Sequence, residues 1–279
     1  MKTGVSFYTF GQDVDIAEAC GQCKKAGYDG VELVLSEQGQ LNMRTKDADM
    51  LRMRRMIEDM GLKVCSVGAW NMWEHNLAGD DRADVQYAKD IARKQIDAAA
   101  ALGADTVLIV PGWVGTNFAP GIIRYDRAYE NAQKALSELA PYSAAAQVCM
   151  GIENVWNKFL LSPLEFRRFL DEIGSPYVGA YFDVGNIIYI GYPEQWIDIL
   201  GTKHIKKLHF CDCRSEQAGL GMFVDLFEGD VDFEAVMKAV HRIGYDDWLT
   251  VEFLPNYKRF PYQSVINARL SLETILSIK

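Results

Sequence analysis

The feature that most constrains this chain is a regular alternation of short apolar, β-branched runs with segments of helical period. The runs lie at Gly4–Phe10, Gly30–Leu35, Lys63–Trp70, Asp105–Gly112, Val148–Trp156, Val178–Asn186, Ile205–Cys213 and Trp248–Pro255, eight in all. Between them apolar residues recur at three- and four-residue spacing, as in Phe233, Val236, Met237, Val240 and Ile243, with Asp232 placed to cap. Glycine stands where most of these helices should end: Gly27, Gly61, Gly103, Gly174, Gly201 and Gly244. That is the left-handed position glycine fills without a Cβ clash. The fourth helical segment lacks such a glycine and runs through Ala144-Ala145-Ala146-Gln147. Several runs, such as Thr106-Val107-Leu108-Ile109-Val110, are continuously hydrophobic, as expected of a parallel sheet covered on both faces. Eight strand–helix units in 279 residues predict an α/β fold, a (β/α)₈ TIM barrel spanning residues 1–279 as one domain. A doubly wound sheet also alternates, but it would usually carry a GxGxxG loop after an early strand, and none follows Gly4–Phe10.

Composition narrows the partners. With 29 basic and 38 acidic side chains the formal charge is −9, which argues against nucleic acid, whose phosphates need clustered Lys and Arg. No apolar run approaches the roughly 18 residues of a membrane span. The first residues, Met1 to Tyr8, carry one lysine and no long apolar stretch, so a cytoplasmic location is expected. The six cysteines are too few for a disulfide framework. Cys20 and Cys23 form a CxxC, and Cys211 and Cys213 a CxC. Ile16, Ala19, Cys20, Cys23 and Ala26 share one helical face, so Cys20 and Cys23 read as buried thiols rather than a redox pair. A zinc site joining the two pairs is the weaker reading.

The chemistry is concentrated at the ends of the last four strands, the end of a TIM barrel where active sites lie. Strand five ends Gly151-Ile152-Glu153-Asn154 and strand six Phe182-Asp183-Val184-Gly185-Asn186. Strand seven ends Leu208-His209-Phe210-Cys211-Asp212 and strand eight Thr250-Val251-Glu252-Phe253. Each holds an ionisable residue inside an apolar run, where an unpaired charge is costly or becomes neutralised. Singly, such residues read as rim charges, salt-bridge partners or a satisfied core histidine. Jointly, Glu153, Asp183, His209 and Glu252 on consecutive strands point to a divalent cation that offsets their repulsion. Three carboxylates with one imidazole suit Mn²⁺, Co²⁺ or Mg²⁺, with Zn²⁺ also admissible, and the histidine favours a transition ion.

These residues resemble the sugar isomerase/epimerase group of xylose-isomerase-like barrels, which includes ketose 3-epimerases, L-ribulose-5-phosphate 3-epimerases and hydroxypyruvate isomerases. The resemblance rests on Ile152-Glu153-Asn154, Phe182-Asp183-Val184-Gly185-Asn186, Leu208-His209-Phe210-Cys211-Asp212, Gly229-Asp230-Val231-Asp232-Phe233 and Val251-Glu252-Phe253. It covers roughly Val148–Pro255; the first half adds only Gly27-Tyr28-Asp29-Gly30-Val31-Glu32-Leu33. It implies that Glu153, Asp183, His209 and Glu252 bind one Mn²⁺-like ion and that Glu153 and Glu252 are also catalytic. One glutamate would remove the proton alpha to a ketose carbonyl, and the other would return a proton on the opposite face of a planar enediolate. A proton moved between C1 and C2 would make the same site an aldose–ketose isomerase. The resemblance also implies a small-molecule sugar or sugar phosphate as substrate, and a homodimer or homotetramer.

Some positions depart from the pattern of free-ketose 3-epimerases. Those enzymes resemble Asp-x-x-His after strand six, where this chain has Asp183-Val184-Gly185-Asn186, closer to the phosphosugar epimerases. They also carry a further acid soon after the strand-five glutamate, where this chain reads Asn157-Lys158-Phe159-Leu160. Asn186, Arg214 and Trp113 are the candidate substrate-binding residues, the first two with a strand-end cap and a rim charge as their bland readings. Trp70, Trp113 and Trp156 end strands three, four and five, where they would either wall a polyol pocket or pack in the barrel. A phosphate would be held by the loop Glu216-Gln217-Ala218-Gly219-Leu220-Gly221 or by Lys258-Arg259. Rival classes are an inositol-type dehydratase, a non-catalytic sugar-binding barrel, and a multi-zinc endonuclease. The last would need more than the four histidines present and a basic face.

Overall fold

The apolar runs fold as strands because both faces of each are covered, the inner by the barrel interior and the outer by helices. A computed structural model describes residues 1–116, 121–216, 219–252 and 257–279. Strands β1 (Lys2–Ser6), β2 (Gly30–Leu35), β3 (Lys63–Ala69), β4 (Thr106–Ile109), β5 (Cys149–Glu153), β6 (Val178–Asp183) and β7 (Ile205–Phe210) come first. A small hairpin, β8 (Asp212–Cys213) and β9 (Phe223–Val224), precedes β10 (Trp248–Val251). Seven strands and β10 close into a parallel barrel in the order β1-β10-β7-β6-β5-β4-β3-β2. The helices α1 (Ile16–Ala26), α2 (Asp47–Asp59), α3 (Arg82–Leu102) and α4 (Tyr125–Ala146) follow β1 to β4. Helices α5 (Pro163–Ile173), α6 (Pro193–His204), α7 (Phe233–Arg242) and α8 (Gln263–Ser277) complete the ring. The fold is the expected (β/α)₈ barrel.

The strands are shorter than the apolar runs, and the excess has a use. The run Gly4–Phe10 leaves the sheet at Ser6, whose side chain caps a 3-10 turn over Phe7–Thr9. The run Lys63–Trp70 leaves it at Ala69, and Trp70–Trp73 form a second such turn. These residues are apolar because they pack over the barrel mouth, not because they pair in the sheet. Phe253 and Pro255 at the end of the last run, and Gln217 and Ala218 of the glycine loop, lie outside the described residues.

The glycines at the helix ends all take positive φ, and four of the helices begin at aspartate or serine caps, among them α7 at Asp232. Gly201 differs from expectation: at φ 62° and ψ 177° it kinks α6 rather than ending it, and one more turn leads into β7. Helix α4, without a glycine, closes on Gln147 in the left-handed region, φ 56° and ψ 34°. Cys20 and Cys23 are buried on the inner face of α1, and burial pushes the Cys20 thiol up to about 12 and Cys23 higher still. They are free thiols packed as small hydrophobes.

The base of the barrel is closed by a buried cation. Lys207 on β7 is 1% exposed and its Nζ lies 2.9 Å from Asp105 Oδ1, just ahead of β4. The same ammonium pairs with Asp247, just ahead of β10.

Candidate active site

At the opposite end, β5, β6, β7 and the residue after β10 deliver Glu153, Asp183, His209 and Glu252 to one place. One ligand atom from each lies within 4.8 Å of the others, and all four side chains are buried. The register accounts for the convergence. Asp183 pairs with His209 across β6 and β7, and His209 with Thr250 across β7 and β10. The Glu252 amide then donates to the Phe210 carbonyl at 3.2 Å.

Local sequence fixes each donor. Asp183 Oδ1 accepts from the amides of Gly185 at 2.8 Å and Asn186 at 2.7 Å, the turn written by Asp183-Val184-Gly185-Asn186. Gly185 is required there because a Cβ would stand 2.4 Å from Cys211 Sγ. Asn154, beside Glu153, clamps the next strand: its side chain donates to the Asp183 carbonyl at 2.8 Å and accepts from the Asp183 amide at 2.9 Å. Asp212, after β7, accepts from the amides of Phe227, Gly229 and Val231 at 2.9, 3.0 and 3.1 Å. It thereby ties the Gly229-Asp230-Val231-Asp232 segment down beside the mouth.

His209 is held by a residue from the other side of the barrel. Glu32 on β2 is fully buried, and its Oε1 lies 3.0 Å from His209 Nε2. The Ser6 hydroxyl donates to the same oxygen and the Ser66 hydroxyl to Oε2, each at 2.6 Å. Although burial alone would raise it, the charge of His209 and these donors hold Glu32 below the usual carboxylate range. Glu32 is therefore an acceptor, and Nε2 carries the proton it receives. The other ring nitrogen, Nδ1, is buried without a hydrogen-bond partner among the described residues. It faces Glu252 Oε2 at 3.1 Å and Glu153 Oε1 at 3.7 Å. Glu32 satisfies the same sign that marked the other four, an ionisable residue inside an apolar strand, but on a strand of the first half.

The cluster is short of positive charge. Burial, then the charge of Glu252, pushes Glu153 well above the carboxylate range. Burial raises Glu252 to about 7 despite the opposing charge of His209. Asp183 is raised too, by burial that His209 and the turn amides only partly offset. Burial would lower His209, but Glu252 and Glu32 together hold it well above the usual imidazole range. Three carboxylates around one buried imidazole, whose Nδ1 makes no hydrogen bond among the described residues, fit a divalent cation taken by mixed oxygen and nitrogen donors.

Glu153 and Glu252 open into a cavity of about 370 Å³ at the mouth. Tyr8 and Trp70 form one aromatic pair of its lining and Trp156 and Phe223 another, and Trp73, Gln12, Glu74 and Asn186 line it as well. Asn186 stands 3.5 Å from Glu153 through its side-chain amide, and its carbonyl accepts from the Trp156 indole at 3.1 Å. The other two substrate-binding candidates sit elsewhere. Arg214 is paired with Glu228 and is absent from the described lining of the cavity. Trp113 is buried outside that lining; its backbone is clamped by Asn76, which accepts from its amide at 2.9 Å and donates to its carbonyl at 3.0 Å. Trp73, Phe223 and Glu74 escaped sequence reading because turns and a hairpin, not strand ends, carry them.

The family model for the xylose isomerase-like TIM barrel matches residues 20–267. The chain belongs to that family. Its match in sequence to a protein of Escherichia coli provisionally named L-ribulose-5-phosphate 3-epimerase SgbU is 24% identical, over 98% of this chain and 95% of the relative. Among solved structures, a D-psicose 3-epimerase from Clostridium cellulolyticum H10 with D-tagatose superposes with a TM-score of 0.81 at 15% identity, covering 100% and 99% of the two chains. An L-ribulose 3-epimerase superposes with a TM-score of 0.77 at 20% identity, covering 99% and 95%. These structural likenesses extend the fold of the xylose isomerase-like family over the whole chain.

Proposed function

We propose that this chain is a divalent-metal-dependent epimerase of a keto sugar, with Mn²⁺ as the ion, held by Glu153, Asp183, His209 and Glu252. The carrying observation is that two buried carboxylates, Glu153 and Glu252, flank one imidazole nitrogen and both open into the cavity. The names of the relatives, epimerases of L-ribulose 5-phosphate, D-psicose and L-ribulose, support the same reading. A bound divalent cation would offset the carboxylate charge and polarise a substrate carbonyl.

The protein's own groups then move the proton. One glutamate takes the proton from the carbon alpha to the carbonyl, leaving that carbon planar. The other, across the plane, gives a proton to the same carbon and inverts it. Burial favours the protonated form of both glutamates, raising Glu252 to about 7 before any cation is bound, so either carboxyl can carry the exchanged proton. Each turnover leaves the proton on the opposite glutamate, so the pair must re-equilibrate before the next cycle. Asn186, beside Glu153, is placed to bind a substrate hydroxyl.

Proton exchange in D₂O followed by NMR tests the reading. Mn²⁺-loaded protein should place deuterium at the stereogenic carbon alpha to the carbonyl, C3 of a 2-ketose, and produce the inverted sugar, and a chelated control should not. Uptake at C1 would make the enzyme an aldose–ketose isomerase. No uptake across ketoses, their phosphates and keto-glycosides would overturn the proposal.

A further inference from the structure

We propose that the cavity selects uncharged sugars over their phosphates, with its aromatic walls and Glu74 as the specificity-determining residues. The inference rests on the epimerase reading but on different residues. Tyr8 and Trp70 meet edge-to-face with ring centroids 4.7 Å apart, and they come from the loops after β1 and β3. Trp156 and Phe223 stack at 5.0 Å with planes 20° apart, and they come from the loops after β5 and β7. In the order of the closed barrel, β2 between the first pair of strands lies four places from β6 between the second pair. The two aromatic walls therefore face each other across the mouth. Such walls suit the C–H face of a sugar, which is apolar, and leave its hydroxyls for Gln12, Asn186 and the glutamates of the lining.

The charge of the lining points the same way. Glu74 adds a third carboxylate to Glu153 and Glu252, and no Lys or Arg belongs to the described lining. Residues 117–120, 217–218 and 253–256, outside the described set, contain neither Lys nor Arg. Of the basic residues that follow the last strands, Arg214 is engaged by Glu228, and Lys258 and Arg259 are exposed and not among the described lining. A terminal phosphate carries nearly two negative charges and is normally met by Arg, Lys or a helix N-terminus. Here it would meet an acidic, aromatic mouth.

The test uses matched pairs, L-ribulose with L-ribulose 5-phosphate and D-fructose with D-fructose 6-phosphate. Binding to Mn²⁺-loaded and metal-free protein is read by tryptophan fluorescence, and turnover by deuterium uptake. The free sugar of each pair should bind at least about tenfold more tightly. Glu74→Arg should move that ratio about tenfold toward the phosphate, and Trp156→Ala should weaken the free sugar by about tenfold. Equal or tighter binding of the phosphates would overturn the proposal, and deuterium uptake from them would leave the epimerase reading standing. A preserved preference for the free sugar with no deuterium uptake from either pair would uphold the selectivity and count against the epimerase reading alone.

Discussion

The two ends of the barrel both bury charge, and they balance it differently. At the base, the Lys207 ammonium sits between Asp105 and Asp247, and both carboxylates keep access to water, with side chains 70% and 36% exposed. That cluster is complete, and its groups are pushed toward their charged forms: Asp105 down, Lys207 up. At the mouth, Glu153, Asp183 and Glu252 share one imidazole in a buried site, and all three carboxyls are pushed toward their neutral forms. The first arrangement closes the fold. The second gathers donors that could hold a cation, and carboxyls pushed toward neutrality in a cleft mark a candidate site of chemistry rather than a structural ion cluster.

The sharpest way to break this contrast is to remove one mouth carboxylate. Glu153→Gln and Glu252→Gln keep the side-chain shape, delete a proton carrier and relieve repulsion. Turnover, read as deuterium uptake, should fall by about 10³-fold or more in either variant. Thermal melts of the metal-free proteins should hold or rise. Turnover within tenfold of the parent in both variants would sink the two-glutamate mechanism.

A smaller effect is expected one layer out. Glu32 is a positioning residue: through Nε2 it fixes the ring of His209 so that Nδ1 faces the cluster. Glu32→Ala should weaken Mn²⁺ binding by about 10- to 100-fold, measured from the free-ion EPR signal during titration. Glu32→Gln keeps an acceptor and should recover part of the loss. A purely structural role would show as a lower melting temperature with Mn²⁺ affinity unchanged.

What was legible in the sequence divides along the same line as the chemistry. The strand count, the cap at Asp232 and the four residues of the cluster lie in regular elements or at their first flanking residue, where a period of two or of 3.6 assigns each side chain a place. The cavity walls do not. Trp73 and Phe223 are carried by a 3-10 turn and a hairpin whose paths depend on contacts far along the chain, such as the hold of Asp212 on the amides of Phe227, Gly229 and Val231. Trp113 lies four residues beyond β4, whereas Trp70 directly follows β3, and Asn76 holds the Trp113 backbone while its side chain stays outside the described cavity lining. Glu32 was legible and undervalued, because a single acid in the first half gains meaning only when β2 and β7 are known to share a barrel interior.

The base supplies the mildest test. Lys207→Met should cost about 2 kcal/mol, less than breaking a fully buried pair, because Asp105 and Asp247 regain water. The pH dependence follows from the direction of each shift. Lys207 holds Asp105 below its ordinary 3.8 in spite of burial, so that contribution is present above 3.8 and is lost as pH falls through the lowered value. Burial opposes the lysine charge, but the two aspartates hold Lys207 above its ordinary 10.5. That contribution is present below 10.5 and is lost as pH rises through the raised value. The stability difference between parent and variant, from urea melts, should therefore stay flat across neutral pH and shrink on both the acid and the alkaline side. Mn²⁺ should raise the melting temperature of parent and variant equally, since the two clusters share no partner and stabilise independently. A Mn²⁺ response that depends on Lys207 would mean the two ends of the barrel are coupled, and the division between a closing cluster and a working one would fail.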